Sequence, residues 1–244
     1  MVDETRFEAA CARALLRKAE GGGIGMLGEK SLHSALKYYY EPDEGRHEQP
    51  VNGFVADILN ERGITEIQTG GLFALRRKLA AYGGIPVTVV HPIVRRRSLI
   101  YLDPASGELS RPRLSPKKGR VEDAFSGLVH IREELKNPLL TVTVPVLDAE
   151  EYRIANGAVG RRGPRPLKYE LVPVRLAEEY PLSQKADHLA LLPEGLPDGF
   201  TVKELARAQK LPERTASAMC AVMLAVGALS RRREGRAYVY MRED

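Results

Sequence analysis

The sequence predicts an α/β protein, a mixed sheet flanked by helices, followed by a small C-terminal domain. Three observations predict it. Short β-branched runs alternate with segments of helical period through most of the chain. The run PVTVVHPI (86–93) is almost wholly apolar, as in a strand buried on both faces. Beyond the linker-like LPEGLPDG (192–199) the pattern changes to two helices and a hairpin.

Residues 4–19 place Phe7, Ala10, Cys11, Ala14 and Leu15 at helical spacing, and GGGIG (21–25) ends that helix. No strand precedes these glycines and no Lys-Ser/Thr follows at P-loop spacing, so they do not read as a phosphate-binding loop. EKSLHSALKYYY (29–40) is a second helix with Leu32, Ala35, Leu36 and Tyr39 as its apolar stripe. Tyr38–Tyr40 are expected to pack at its end. HEQPV (47–51), FVADIL (54–59) and ITEIQT (64–69) read as three strands, joined by Asn52-Gly53 and by NERG (60–63). LFALRRKLAAY (72–82) is an amphipathic helix leading into 86–93. A helix between two strands implies a parallel crossover.

SLIYL (98–102) reads as a strand, and 103–119 as a loop rich in Pro, Ser and Gly. A helix is expected from Val121 to Lys136. LLTVTVPVL (139–147) is a strand, EEYRI (150–154) is ambiguous, and YELVPVRL (169–176) is an edge strand because of Pro173. Thr201 and Glu204 form a capping box for a short helix. PERTASAMCAVMLAVGAL begins a further helix at Pro212, and RRREGRAYVYM (231–241) reads as a hairpin. Helix, turn, helix, hairpin is the layout of a winged helix-turn-helix. The expected division is therefore 1–190 and 191–244.

The net charge of +5 and a pI near 9.2 make the chain mildly basic. Placement says more than the total. Residues 95–120 hold eight Lys or Arg against Asp103 and Glu108, RRGPRPLK (161–168) has no acid, and RRREGR (231–236) repeats the pattern. Such runs are commonly solvated faces, and they also suit a polyanionic partner. Cys11 and Cys220 permit neither a disulfide framework nor zinc spacing, which points to a reducing cytoplasm. No apolar run reaches the roughly 18–20 residues that span a bilayer, so no membrane partner is expected.

The hairpin GFVADILNERGITEIQT (53–69) carries the chemistry. Glu66 and Gln68 leave their strand on one side, because side chains alternate. Asp57 joins them if Glu61-Arg62 form a two-residue loop. It turns away if Gly63 adds a bulge residue, and glycine at that position favours the bulge. Two carboxylates on neighbouring strands need exposure or neutralisation, and a hard divalent cation, Mg²⁺ or Mn²⁺, neutralises them best.

The order helix, three-stranded meander, helix, strand over residues 29–93, with Asp57 followed by Glu66-Ile67-Gln68, resembles the PD-(D/E)XK nuclease superfamily and its restriction-endonuclease-like fold. The resemblance implies a Mg²⁺-dependent endonuclease acting on double-stranded DNA. Asp57 and Glu66 would bind the metal, Ile67 would lend its backbone carbonyl, and Gln68 would stand where a Lys assists the attacking water. Lys78 or Arg76 on the next helix would supply the missing cation, and Glu29 would support the site. Arg214 and Thr215 on the last helix would approach bases, with Arg231, Arg232, Arg233 and Arg236 at the wing and Arg161 and Arg162 in a basic loop contacting phosphates. A homodimer is compatible with this reading. The alternative is an inactive nuclease fold serving as a DNA-binding or scaffolding factor, and the basic loops suit RNA equally. The whole chain also resembles an uncharacterised bacterial family with LGEK-x-LH, the GFVADI/EIQT hairpin and DAEEYR (148–153), associated with Gram-positive genomes.

Overall fold

A computed structural model describes residues 2–20, 30–154, 159–160, 163–164 and 166–243. Helices α1 (Glu4–Glu20) and α2 (Ser31–Tyr40) come first. Strands β1 (His47–Val51), β2 (Phe54–Asn60) and β3 (Gly63–Ile67) follow, then α3 (Arg76–Tyr82). Next are β4 (Val87–Val90), β5 (Ile93–Leu102), β6 (Arg113–Leu114), α4 (Phe125–Leu128) and β7 (Leu140–Ile154). The short β8 (Val159–Gly160) and β9 (Gly163–Pro164) precede β10 (Leu167–Leu182). The chain ends with α5 (Lys185–Leu189), α6 (Val202–Gln209), α7 (Glu213–Ala225), β11 (Leu229–Glu234) and β12 (Ala237–Arg242). The expected α/β class with a large mixed sheet is therefore present.

Contacts divide the chain into two interleaved units: residues 1–47, 92–120 and 145–179, and residues 48–91, 121–144 and 180–244. In the first, α1 buries Phe7, Ala10 and Ala14, and α2 buries Leu32, Ala35 and Leu36. Phe7 meets Tyr39 edge-on at 5.5 Å. The tyrosine run does more than pack, since Tyr39 and Tyr40 both donate to Glu179, at 3.0 and 2.6 Å. Burial and Glu179 push the Tyr39 phenol up to about 12. β5 runs parallel to the later part of β7, with Ile93 beside Val146 and Leu102 beside Ile154. β6 adds antiparallel to β5, and β10 pairs with β7.

In the second unit, β1 and β2 are neighbours joined by the two-residue Asn52-Gly53 turn, and β2 and β3 are antiparallel. β3, β4 and the start of β7 are parallel, with Ile64, Val87 and Leu140 in register. The expected crossover through α3 is thus present. The C-terminal helices and the antiparallel β11–β12 hairpin also belong to this unit. The predicted capping box forms, with Thr201 Oγ1 accepting from Glu204 N and Glu204 Oε2 accepting from Thr201 N. Cys220 is fully buried there, and burial pushes its thiol up to about 12.

Three expectations are corrected. The apolar run 86–93 is two strands, because Pro92 lacks the amide needed to continue the ladder between β4 and β5. Arg95–Arg97 lie inside β5 rather than in a loop, and EEYRI completes β7. The segment 121–136 is a chain of 3₁₀ turns around the single α-turn of α4. Gly127 lies within α4, where a Cβ would lie 3.0 Å from Leu72 Cδ1 and 3.1 Å from His91 Nε2, so the close packing there calls for glycine.

Candidate functional site

Asn60 pairs with Gly63, Leu59 with Ile64 and Ile58 with Thr65. Glu61-Arg62 therefore form a two-residue loop, and the expected bulge at Gly63 does not form. Gly63 serves another purpose. It has φ +108°, and a Cβ there would lie 2.3 Å from the Pro86 carbonyl oxygen. The glycine is needed for this approach between β3 and the start of β4. Continuing the register one step sets Asp57 opposite Glu66. The ladder stops short of that pair because the Asp57 side chain takes the next amide, with Ile67 N donating to Oδ2 at 2.7 Å.

Register partners share a sheet face, so Asp57, Glu66, Gln68 and His91 lie on one side. Helix α3 contributes Lys78 and Tyr82 to that side, one turn apart. Glu66 is only 1% exposed. Lys78 Nζ donates to both its oxygens, at 2.9 and 3.1 Å, and to the Val55 carbonyl at 2.7 Å. Tyr82 Oη donates to Glu66 Oε1 at 2.5 Å. Burial, and then the charge of Asp57, hold the Glu66 pKa above the ordinary carboxylate range, against the opposing pull of Tyr82 and Lys78. Burial and Glu66 likewise push the Tyr82 phenol up.

Gln68 turns its amide back to its own loop, donating to the Gly71 carbonyl at 3.0 Å. Its main-chain carbonyl accepts from His91 Nδ1 at 2.7 Å. Burial lowers the His91 pKa. Ile67 is buried at 2% exposure. Of the two cations named from sequence, Lys78 reaches the Glu66 carboxylate, whereas Arg76 pairs with Glu134 at 2.6 Å. Tyr82 and His91 join the site without having been anticipated; the i,i+4 spacing of Lys78 and Tyr82 was the available signal. Glu29, Arg161 and Arg162 lie outside the described residues. Among the described residues no group of three His, Cys, Asp or Glu stands ready for a metal ion.

The C-terminal candidates separate. Arg214 is exposed, but Thr215 is 2% exposed and faces the core, so it does not reach a base edge. On the hairpin, the Arg231 guanidinium lies 4.5 Å from the Tyr238 ring centroid. Arg232 pairs with Glu234 at 2.6 Å, and Arg233 Nε donates to the Gly235 carbonyl at 3.2 Å. Arg236 is exposed. In the basic run at 95–97 Arg96 is exposed, but its two neighbours are paired. Arg95 forms a two-pronged pair with Asp148, at 3.1 and 2.8 Å. Arg97 and Arg153 both pair with the buried Glu151. The acids of DAEEYR thus neutralise arginines of the neighbouring strand.

A relative from Treponema pallidum (strain Nichols), described as an uncharacterized protein, is 29% identical over 185 residues, covering 73% of this chain and 72% of its own length. No solved structure matches the chain. The model of a family described as a domain of unknown function, DUF8091, matches residues 30–183, a range that contains both the Asp57–Glu66 hairpin and DAEEYR and stops before α5. With more than half of its length matched, the chain belongs to the DUF8091 family.

Proposed function

We propose that the protein is a metal-dependent nuclease that hydrolyses phosphodiester bonds in DNA, on a restriction-endonuclease-like core, with a C-terminal winged-helix layout contacting the nucleic acid. The observation that carries this reading is the hairpin register, which sets Asp57 across from Glu66 on a strand whose next same-face residue is Gln68. The order α2, β1 to β3, α3, β4, with β3 and β4 parallel, supports the core. Helices α6 and α7 followed by the β11–β12 hairpin support the winged layout.

The donor set fits a hard dication, because two carboxylates and a main-chain carbonyl offer oxygen alone. Asp57, Glu66 and the Ile67 carbonyl would hold Mg²⁺ or Mn²⁺. A metal held there would supply polarisation of the phosphodiester and a more acidic water. Lys78 competes with it for Glu66. Displaced from Glu66, its ammonium would offer the positive charge that Gln68 cannot. Gln68 offers an amide to orient the water, and Tyr82 keeps Glu66 in place.

A second reading, nucleic-acid binding without cleavage, is favoured by the three hydrogen bonds from Lys78 and Tyr82, which neutralise Glu66 without a metal. Supercoiled plasmid with Mg²⁺ or Mn²⁺ separates the two. The first reading expects nicking by the wild type and its loss in Asp57→Asn, a change that keeps an acceptor for Ile67 N. Undiminished nicking by that variant overturns the site. Binding without nicking under either metal establishes the second reading.

A further inference from the structure

Helix α7 buries Thr215, Ala216, Ala218, Met219, Cys220, Val222 and Met223. Its remaining surface runs from Glu213 and Arg214 through Ser217 and Ala221 to Leu224 and Ala225. That surface does not stand proud. From Ser217 onward it is the floor of a groove enclosing about 530 Å³. Arg132 and Lys136, from the 3₁₀ segment, form one bank, and Arg231 and Tyr240 of the hairpin form the other. Glu133 lies on the first bank, 3.5 Å from Arg132 and 2.6 Å from Lys136. Three cations and one anion leave the groove positive. Arg233 shares the strand face of Arg231, as alternation requires; of the tyrosines opposite them, Tyr238 is exposed, while Tyr240 is 7% exposed and stacks on Phe200.

A reading helix about 10–12 Å across fills a B-DNA major groove of about 12 Å, so it must project free of its neighbours. With banks on both sides, α7 lacks that freedom. A single strand has different needs: a positive channel for its phosphates and aromatic rings for its bases. The small side chains of Ser217 and Ala221 leave room for a backbone to lie on the floor.

We propose that this groove binds single-stranded nucleic acid, its phosphates running between Arg132 and Lys136 on one side and Arg231 on the other. The proposal rests on the nuclease reading only for its choice of polyanion, and it leaves the duplex cleaved at the Asp57–Glu66 site as that reading has it. It brings in Arg132 and Lys136, which lie outside the winged layout.

Fluorescence anisotropy of the full chain tests it, using labelled 12-nucleotide oligo(dT), oligo(U) and a 12-base-pair duplex, without divalent metal. A single strand is expected to bind at least tenfold tighter than the duplex. Arg132→Ala/Lys136→Ala and Arg231→Ala should each weaken it about tenfold and flatten the dependence of log Kd on log salt. All three side chains are exposed, so these variants fold. Preference for oligo(dT) or oligo(U) tells DNA from RNA, and either supports the groove. Tighter duplex binding, or binding that ignores all three substitutions, overturns it. So does equal displacement by poly-glutamate, which would mark a general anion surface. Asp57→Asn should bind as the wild type does. Loss of cleavage with retained binding thus reports on the carboxylates, and loss of binding with retained nicking reports on the groove.

Discussion

Lys78 Nζ lies within 3.1 Å of both carboxylate oxygens of Glu66, in a place where Glu66 meets almost no solvent. The ammonium is what permits an ionised carboxylate opposite Asp57. Lys78→Met should therefore cost about 3–5 kcal/mol of stability, the usual penalty for stranding one buried charge. Urea unfolding measures it. Adding Glu66→Gln should restore much of the loss, because the stranded charge goes with it. If the single variant matches the wild type, the pair is not neutralising anything.

Gly63 and Gly53 both have positive φ, +108° and +82°, but only Gly63 abuts another chain segment. Gly53→Ala should cost about 1–2 kcal/mol, the strain of a left-handed alanine. Gly63→Ala adds a collision with the Pro86 carbonyl and should cost at least about 3 kcal/mol. Thermal melts of the two variants side by side isolate the collision. Equal losses would show that β3 can draw back from Pro86.

His188 is 3% exposed, its Nδ1 has no hydrogen-bond partner among the described residues, and burial lowers its pKa to about 4. The unfolded imidazole titrates near 6.5, so between those values the unfolded chain binds the extra proton. Stability is complete above about pH 6.5 and falls as pH drops towards 4, by about 3 kcal/mol for this group. His188→Gln should flatten that part of the stability–pH curve, as read by chemical unfolding at several pH values. An unchanged slope would assign the acid sensitivity to other groups.

Much of this fold was legible in the sequence because its signals are local. Asn-Gly and NERG marked the turns, β-branched runs marked the strands, and the crossover followed from their order. The site was half legible. Asp57, Glu66 and Gln68 were visible as polar breaks in apolar runs, but their relative facing hinged on Gly63. Glycine suits a bulge as well as a close approach, and only the position of Pro86 decides between them. Lys78 and Tyr82 looked like ordinary members of an amphipathic helix, since a helix does not declare which sheet residue it will cover. Thr215 was misread for a related reason: a helix packed on several sides buries polar positions that a lone amphipathic wheel leaves outside.

The interleaving of the two units has a consequence for synthesis. Each is assembled from three separate stretches of chain, and β7 runs through the boundary between them at residues 144 and 145. A chain leaving the ribosome holds every residue of the first unit once 179 has emerged, while the second still waits for 180–244. Until then the Asp57–Glu66 hairpin has its sheet partners but lacks the C-terminal part of its unit. A nascent chain halted near residue 183 would present this incomplete second unit to chaperones and proteases, with the apolar surface that α7 covers laid open.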